Sequence, residues 1–520
     1  MSIEGWFLSP SERGNPWTRV DARRAPAAWS TGNDARVLVH GATYFAELSA
    51  SVARAGRGDL VLFTDWRGDP DEALDDSGRT VSELLCTAAR RGVVVKGLIW
   101  RSHLDRLRFS AEENRHLGEE IERAGGEGVL DMRVRAGGSH HQKLVVVRHR
   151  DRPELDVAYV GGIDLCHSRR DDERHLGDPQ SQKMARVYGR RPPWHDVQLV
   201  VRGPVVADIE TVFRERWEDP TPVTLNPIHR LADVVRRDDD SPGALPDQWP
   251  DPPLAGAAAI QVLRTYPRRR PGYTFAPDGE RSIARAYAKV LSRARRLVYV
   301  EDQYLWSREV ADVFARALRD QRRLRLIAVV PHFPDQDDRL SGPPNFVGRQ
   351  AALDVLTAAG RDRVAVYGIE NEAGTPIYVH AKVCIVDDYW AAVGSDNFNR
   401  RSWTYDSELD IAVIDESSSP DGPFAERLRL ELAREHLGRD ATDTADLHDA
   451  DDAFAAFAAS ASTLQAWHDG GRVEARPPGR LRRVVRPEVG RWTRLWAVPL
   501  YRRLYDPDGR DRSTRRAGSF

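Results

Sequence analysis

Lysine, cysteine and long apolar runs are scarce in this sequence. The chain has 77 lysines and arginines, yet only Lys96, Lys143, Lys183, Lys289 and Lys382 are lysine. Lysines that persist in so arginine-rich a background point to a requirement for a compact ammonium. The three cysteines, Cys86, Cys166 and Cys384, are odd in number, far apart and without a Cys-x-x-Cys pair. That excludes a disulfide framework and a cysteine zinc site. No apolar run approaches the length of a membrane span, and the N-terminus lacks a basic start followed by an apolar stretch. A cytoplasmic, reducing location without a signal peptide is therefore expected. Net charge is also nearly absent, at -2, so the molecule as a whole is no electrostatic trap for nucleic acid or anionic lipid.

A chain of 520 residues exceeds what one hydrophobic core usually holds, and 41% hydrophobic with 30% charged residues is a globular composition. Strand-like runs at Asp59–Thr64, Val93–Trp100, Lys143–Val147 and Val157–Val160 alternate with amphipathic helical stretches at Tyr44–Ala55, Thr80–Arg91 and Ala111–Ala124. This alternation predicts an α/β fold with a largely buried, mixed sheet. The second half repeats the grammar. Its strands are expected at Leu297–Val300, Leu324–Val330, Arg363–Tyr367 and Val379–Val386, and its helices at Ser307–Gln321 and Val347–Ala359. Landmarks also match: Asp65 lies 76 residues before His141, and Glu301 lies 79 before His380. We read an internal duplication. It has an N-terminal half over 1–218, a Pro- and Asp-rich linker over 219–256 and a C-terminal half over 257–440. An acidic patch and a basic tail follow over 441–520.

Each half carries one chemically dense motif. In the second, Val379-His380-Ala-Lys382 leads to Asp387 and then to Gly394-Ser395-Asp-Asn397. Residues two apart in a strand share a face, so His380 and Lys382 project together. Imidazole can attack phosphorus or pass a proton near neutral pH. The ammonium suits a phosphate oxygen, the Gly394-Ser395 turn lets backbone come close, and Asn397 offers amide donors. The first half has His140-His141-Gln-Lys143 and then Gly161-Gly162-Ile-Asp164-Leu-Cys166. Cleaving a phosphodiester benefits from two imidazoles, one attacking and one protonating the leaving alkoxide before activating water. One His-x-Lys in a strand means little; two in matching halves, each followed by a glycine turn, are hard to explain structurally.

These paired His-x-Lys-x4-Asp motifs resemble the phospholipase D superfamily. Gly161 to Cys166 with Arg170-Asp171, Tyr299-Val-Glu-Asp-Gln-Tyr-Leu305, and Asp406-Ser407-Glu408 are similar to blocks of the true phospholipases D, and the likeness covers roughly residues 35 to 440. It implies two pseudo-symmetric α/β/α sandwich halves with mixed sheets and an active site at their interface. It implies His141 as nucleophile and His380 as general acid, with Lys143, Lys382 and Asn397 as phosphate ligands. Ser395, Gly162 and Asp164 complete the substrate-binding set, Asp164 standing where many members have Asn. Asp171 and Glu408 match the acids that orient the histidines. No metal or cofactor is implied. One departure is plain: the first motif has Arg148 where Asp is expected.

The implied activity is hydrolysis of glycerophospholipids to phosphatidic acid and a free alcohol through a phosphohistidine, with head-group exchange when an alcohol replaces water. A cardiolipin synthase-like phosphatidyl transferase, a nuclease and a catalytically silent lipid-binding scaffold stay open, nucleic acid being the least favoured partner. A monomer is expected. Among neighbours, His140, Cys166 and Cys384 read as structural. Glu301 and Gln303 could brace the site or act in it, and Trp66 and Trp306 could line its mouth or fill the core. From Arg476 onward the tail has thirteen arginines against four acids, with Trp492, Trp496, Tyr501 and Tyr505 interleaved. That composition suits peripheral contact with an anionic bilayer. The bland reading is a solvated tail lying against the acidic patch at Asp440 to Asp452.

Overall fold

The computed structural model describes residues 2–102, 111–227, 229, 231, 241–336, 342–416, 422–484, 488–518 and 520. Seven strands build a sheet in the first half. They are β1 (Ser30–Val39), β2 (Leu60–Asp65), β3 (Val94–Trp100), β4 (Glu127–Asp131), β5 (Leu144–Arg148), β6 (Val157–Gly161) and β7 (Val197–Arg202). Their pairings give the order β4-β3-β2-β5-β6-β7-β1, with β2, β3 and β4 parallel and the remaining pairs antiparallel. Parallel neighbours need crossover helices, and Val81–Arg90 and Ala111–Arg123 supply them. The first of these starts at a capping box in which Thr80 accepts from the Glu83 N–H and Glu83 returns a bond to the Thr80 N–H.

The second half repeats this topology strand for strand. Its strands are β8 (Ala258–Tyr266), β9 (Leu297–Glu301), β10 (Arg325–Val329), β11 (Val364–Glu370), β12 (Val383–Val386), β13 (Trp390–Gly394) and β14 (Glu408–Ile414). The order is β11-β10-β9-β12-β13-β14-β8, again with only the first three parallel. The edge strands β1 and β8 meet antiparallel, Ser30 opposite Ile260 and Asn33 opposite Ala258.

Alternation along each strand sets the layers. In β2, Val61 and Phe63 pack outward under the helices of the first half, whereas Leu60 and Leu62 face inward. Val298 and Val300 of β9 likewise face outward, and Leu297 and Tyr299 inward. The two inward faces share one core, and helices Val205–Trp217 and Phe424–Leu437 pack within it. Every residue of Val205–Trp217 is buried, as expected of a helix lying between two sheets.

The expected Val379–Val386 strand is interrupted. Pro376–Val379 and Val383–Val386 are separate strands, and His380-Ala-Lys382 is the extended link between them. His141 and Lys143 likewise precede β5 rather than lie within it. Described residues within 441–520 pack on the second half. Helix Ala450–Asp469 sets Phe457 against Tyr299 and Tyr367, and Leu481–Arg483 extends the sheet beside β11. The tail packs away from the acidic patch: Asp506 pairs with Arg400 at 3.0 Å, and the Ser307 N–H donates to the Tyr501 hydroxyl.

Arg148 has a structural explanation. Its guanidinium is fully buried, bonds Asp156 Oδ2 at 2.6 Å, pairs with Glu210, and donates to the Pro250 carbonyl of the linker. Its counterpart Asp387 accepts from the N–H groups of Arg295, Arg296 and Leu297 at the start of β9. The motif aspartate thus anchors a neighbouring strand, and Arg148 anchors a helix and the linker instead. Arg148→Ala would leave the buried Asp156 without its arginine, while Glu210 keeps only Arg214. The substitution is expected to cost about 3–5 kcal/mol in urea unfolding; a loss below about 1 kcal/mol would contradict this reading.

Candidate active site

The two His-x-Lys segments meet where the halves face each other, and each is pinned by the other half. The His141 N–H donates to the Ser407 carbonyl at 2.9 Å, and the His380 N–H donates to the His195 carbonyl at 2.8 Å. The side chains repeat the exchange. His141 Nδ1 lies 2.8 Å from Glu408 Oε2, and His380 Nδ1 lies 2.6 Å from Asp196 Oδ2. Glu408 opens β14 of the second half; Asp196 immediately precedes β7 of the first. Each carboxylate holds its imidazole by Nδ1 and leaves Nε2 to the site.

This arrangement corrects the expectation for Asp171. Asp171 accepts from the N–H groups of Asp172, Gly177 and Trp194 and lies 3.8 Å from His175, so it shapes the loop that delivers Asp196, and the acid beside His380 is Asp196. Sequence reasoning missed Asp196. The usable signal was the duplication: Glu408 stands at the start of the last sheet strand after its motif, and Asp196 stands just before the matching strand.

The glycine turns also serve the carboxylates. A side chain on Gly162 would meet Asp196 Oδ1 at 2.3 Å, so glycine there makes room for the acid. Ser395 occupies the matching position; its hydroxyl donates to Glu408 Oε2 at 2.6 Å and accepts from the Leu409 N–H. Gly162 and Ser395, expected to touch substrate, lie against the two acids. Gly394 is crowded in the same way, by Asp410.

The lysines supply positive charge. Lys143 Nζ donates to the carbonyl of His141 at 2.8 Å, and Lys382 Nζ bonds the carbonyl of His380. Lys382 also reaches Gln303 Oε1 at 3.4 Å, which places Gln303 at the site. Asn397 is buried, and its Oδ1 has no partner among the described residues. Asp164 lies 3.4 Å from Lys143 and 3.5 Å from Arg169. Asp164, expected at the substrate, is placed to hold the lysine. The buried Asp65 beside it is pushed well up by burial and by Asp164's charge, so the pair shares one negative charge.

Other candidates lie one layer out. Glu301 accepts from Tyr299, His195 and His436 and does not touch the lysines. His140 is buried behind the motif, and burial raises the thiols of Cys166 and Cys384. Trp66 stands edge-on to His141 with ring centroids 6.2 Å apart, and Trp306 packs on Tyr304 and Tyr501 in the core. A large open cleft of about 1150 Å³ contains neither histidine; Arg135, Arg268, Arg269, Arg281 and Arg515 are among its lining residues.

The electrostatics describe a site waiting for an anion. Burial and the charges of Lys143 and Lys382 push His141 well below its usual range. Burial and Lys382 bring His380 down to about 3 despite Asp196. Burial lowers Lys382 to about 8 and raises Glu408 to about 7. Both imidazoles are therefore neutral at pH 7, and with Nδ1–H held by Glu408, His141 offers a lone pair at Nε2.

Set beside known proteins, residues 69–311 match the family described as Phospholipase D, and residues 287–434 match the one described as Cardiolipin synthase, PLD-like domain. The chain belongs to the phospholipase D superfamily. Phospholipase D alpha 1 of Ricinus communis is 26% identical over 510 residues, which covers 73% of this chain and 62% of that protein. Phospholipase D1 of Schizosaccharomyces pombe is 25% identical over 394 residues, 58% of this chain and 27% of that one. The chain thus spans less than two thirds of either relative's length. Among solved structures, phosphatidylserine synthase of Haemophilus influenzae superposes with a TM-score of 0.49 at 14% identity, covering 73% of this chain and 82% of that one.

An oxyanion entering between the lysines would restore the imidazoles' basicity, because its negative charge opposes the ammonium groups. Binding of inorganic phosphate or tungstate near pH 7 is therefore expected to take up close to one proton per anion, about half of one at least. Calorimetry in buffers of different ionisation enthalpy reads this directly. Binding without proton uptake would contradict the neutral assignment of the two histidines.

Proposed function

We propose that this protein is a phospholipase D-type phosphodiesterase acting on glycerophospholipids. The observation that carries the reading is the exchanged pair of contacts, His141 with Glu408 and His380 with Asp196, flanking two buried lysines. His141, the more open of the two at 15% side-chain exposure against 6%, attacks phosphorus through Nε2. His380, protonated once the phosphate is bound, donates to the departing head-group oxygen. A phosphatidyl group is then carried on His141. Neutral His380 takes a proton from water, which attacks phosphorus and releases phosphatidic acid; an alcohol in place of water gives head-group exchange. Lys143, Lys382 and Asn397 hold the non-bridging oxygens. Glu408 and Asp196 orient the imidazoles and favour their charged forms.

A phosphatidyl transferase such as a cardiolipin synthase would use the same steps with an alcohol acceptor, and the match over 287–434 favours keeping it as the second reading. Among the described residues, no helix is long and apolar enough to cross a membrane. The helix Arg491–Leu500 suits contact with a bilayer surface instead. It exposes Trp492 at 85%, Leu495 at 69% and Trp496 at 40%, with Arg491 and Arg494 beside them.

Phosphatidylcholine vesicles with a few per cent ethanol separate these readings. Phosphatidic acid and phosphatidylethanol are both expected, with loss in His141→Ala and a fall of about 100-fold or more in Asp196→Asn. Neither product from phosphatidylcholine or phosphatidylglycerol would overturn the lipid reading. The combined Trp492→Ser, Leu495→Ser and Trp496→Ser variant is expected to bind anionic vesicles about tenfold less tightly at unchanged melting temperature; unchanged binding would remove the helix from that role.

A further inference from the structure

Directly behind His380, the fold gathers four histidines and two glutamates that the chemistry above does not use. Three of the histidines converge on one carboxylate. His40 Nε2 lies 2.9 Å from Glu435 Oε2, His175 Nε2 lies 2.9 Å from Glu435 Oε1, and His195 Nδ1 lies 3.6 Å from the same oxygen. One ligand atom from each of the four residues falls within 4.8 Å of every other. The three histidines are buried, and the Glu435 side chain is 14% exposed.

We propose that His40, His175, His195 and Glu435 form a closed, four-ligand site for a divalent transition metal, with zinc as its occupant. Three imidazoles and one carboxylate are a zinc-type donor set. Tetrahedral zinc with bonds of about 2.0–2.1 Å places its ligand atoms roughly 3.3 Å apart. The 2.9 Å separations of His40 from Oε2 and of His175 from Oε1, and the 3.6 Å separation of His195 from Oε1, lie near that spacing, and all four ligand atoms fall within 4.8 Å of one another.

Two independent observations point to an occupant. His195 is fully buried, yet its Nδ1 makes no hydrogen bond within 3.5 Å; it faces Glu435 Oε1 at 3.6 Å, at the outer limit of an ion pair. A buried ring nitrogen left in that state is costly unless something binds it. The outer contacts are also those of metal ligands, whose second ring nitrogen is normally held by a carboxylate or carbonyl. His195 Nε2 bonds Glu301 Oε2 at 2.6 Å, and Glu301 is itself held by His436 and the Tyr299 hydroxyl. His175 Nδ1 bonds the Trp194 carbonyl at 3.0 Å, and Arg480 lies 3.3 Å from Glu435. His40 lacks such an outer partner; its backbone is instead fixed at φ 87°, where residues other than glycine are strained.

The site would act on position and not on phosphorus. Three ligands come from the first half and Glu435 from the second, so an ion would cross-link the halves. It would also hold Trp194–His195, whose His195 carbonyl accepts the His380 N–H and whose next residue is Asp196. Ligation would therefore set the position of one catalytic imidazole without touching substrate.

Metal content of the whole chain tests this without reference to activity. Protein expressed with added zinc is expected to keep about one equivalent per chain through gel filtration, and a cobalt-grown sample to show the intense visible absorption of a tetrahedral site. His40→Gln and Glu435→Gln, which preserve volume and hydrogen bonding, are expected to retain less than about a fifth of an equivalent. Wild-type protein holding under about a tenth of an equivalent from either medium would overturn the proposal, leaving a metal-free hydrogen-bonded cluster. So would full retention in both variants, which would place the ion elsewhere.

Discussion

The structure depends on one exchange. Each half supplies a histidine on an extended link and a carboxylate beside its last sheet strands, and each histidine is gripped by the carboxylate of the other half. The backbone makes the same exchange through the Ser407 and His195 carbonyls. A half alone would hold an imidazole without its acid and a lysine without its counterpart. Docking of the two sheets is therefore what assembles the chemistry, and the shared core around Val205–Trp217 and Phe424–Leu437 makes that docking rigid.

Much else follows from serving that exchange. Gly162 is small to admit Asp196, Ser395 donates to Glu408, and Asp164 steadies Lys143. Burial makes these contacts strong and also makes any charge left among them costly. Burial, and then the neighbouring ammonium groups, hold His141 and His380 below their usual range. A phosphodiester reverses the balance as it binds. The acid form of His380 then arises where the leaving oxygen needs it.

The duplication was legible in the sequence because it repeats both periodicity and landmarks, and the His-x-Lys pairs were legible because they recur at matching places. What hid was anything settled between the halves. Asp171 looked correct by adjacency to Gly161–Cys166, whereas Asp196 emerges only when β7 is matched to β14. The strands β1, β4, β7, β8, β13 and β14 were missed; in β1 the opening Ser30-Thr-Gly-Asn-Asp34 hides any alternation. Arg148 stood out as a departure from the motif and is a buried anchor. The histidine cluster was invisible because cysteine spacing, not scattered His40, His175 and His195, is what sequence rules for metals read.

The account's central claim is that His141 carries the phosphatidyl group while His380 serves only as acid and base. A phosphatidyl ester of p-nitrophenol isolates the first step, because its leaving group needs no proton. His380→Ala should then release about one p-nitrophenolate per chain in a burst and retain the phosphatidyl group on His141, found by mass spectrometry after denaturation. No burst, or an adduct on any other residue, would contradict the division of labour between the two histidines.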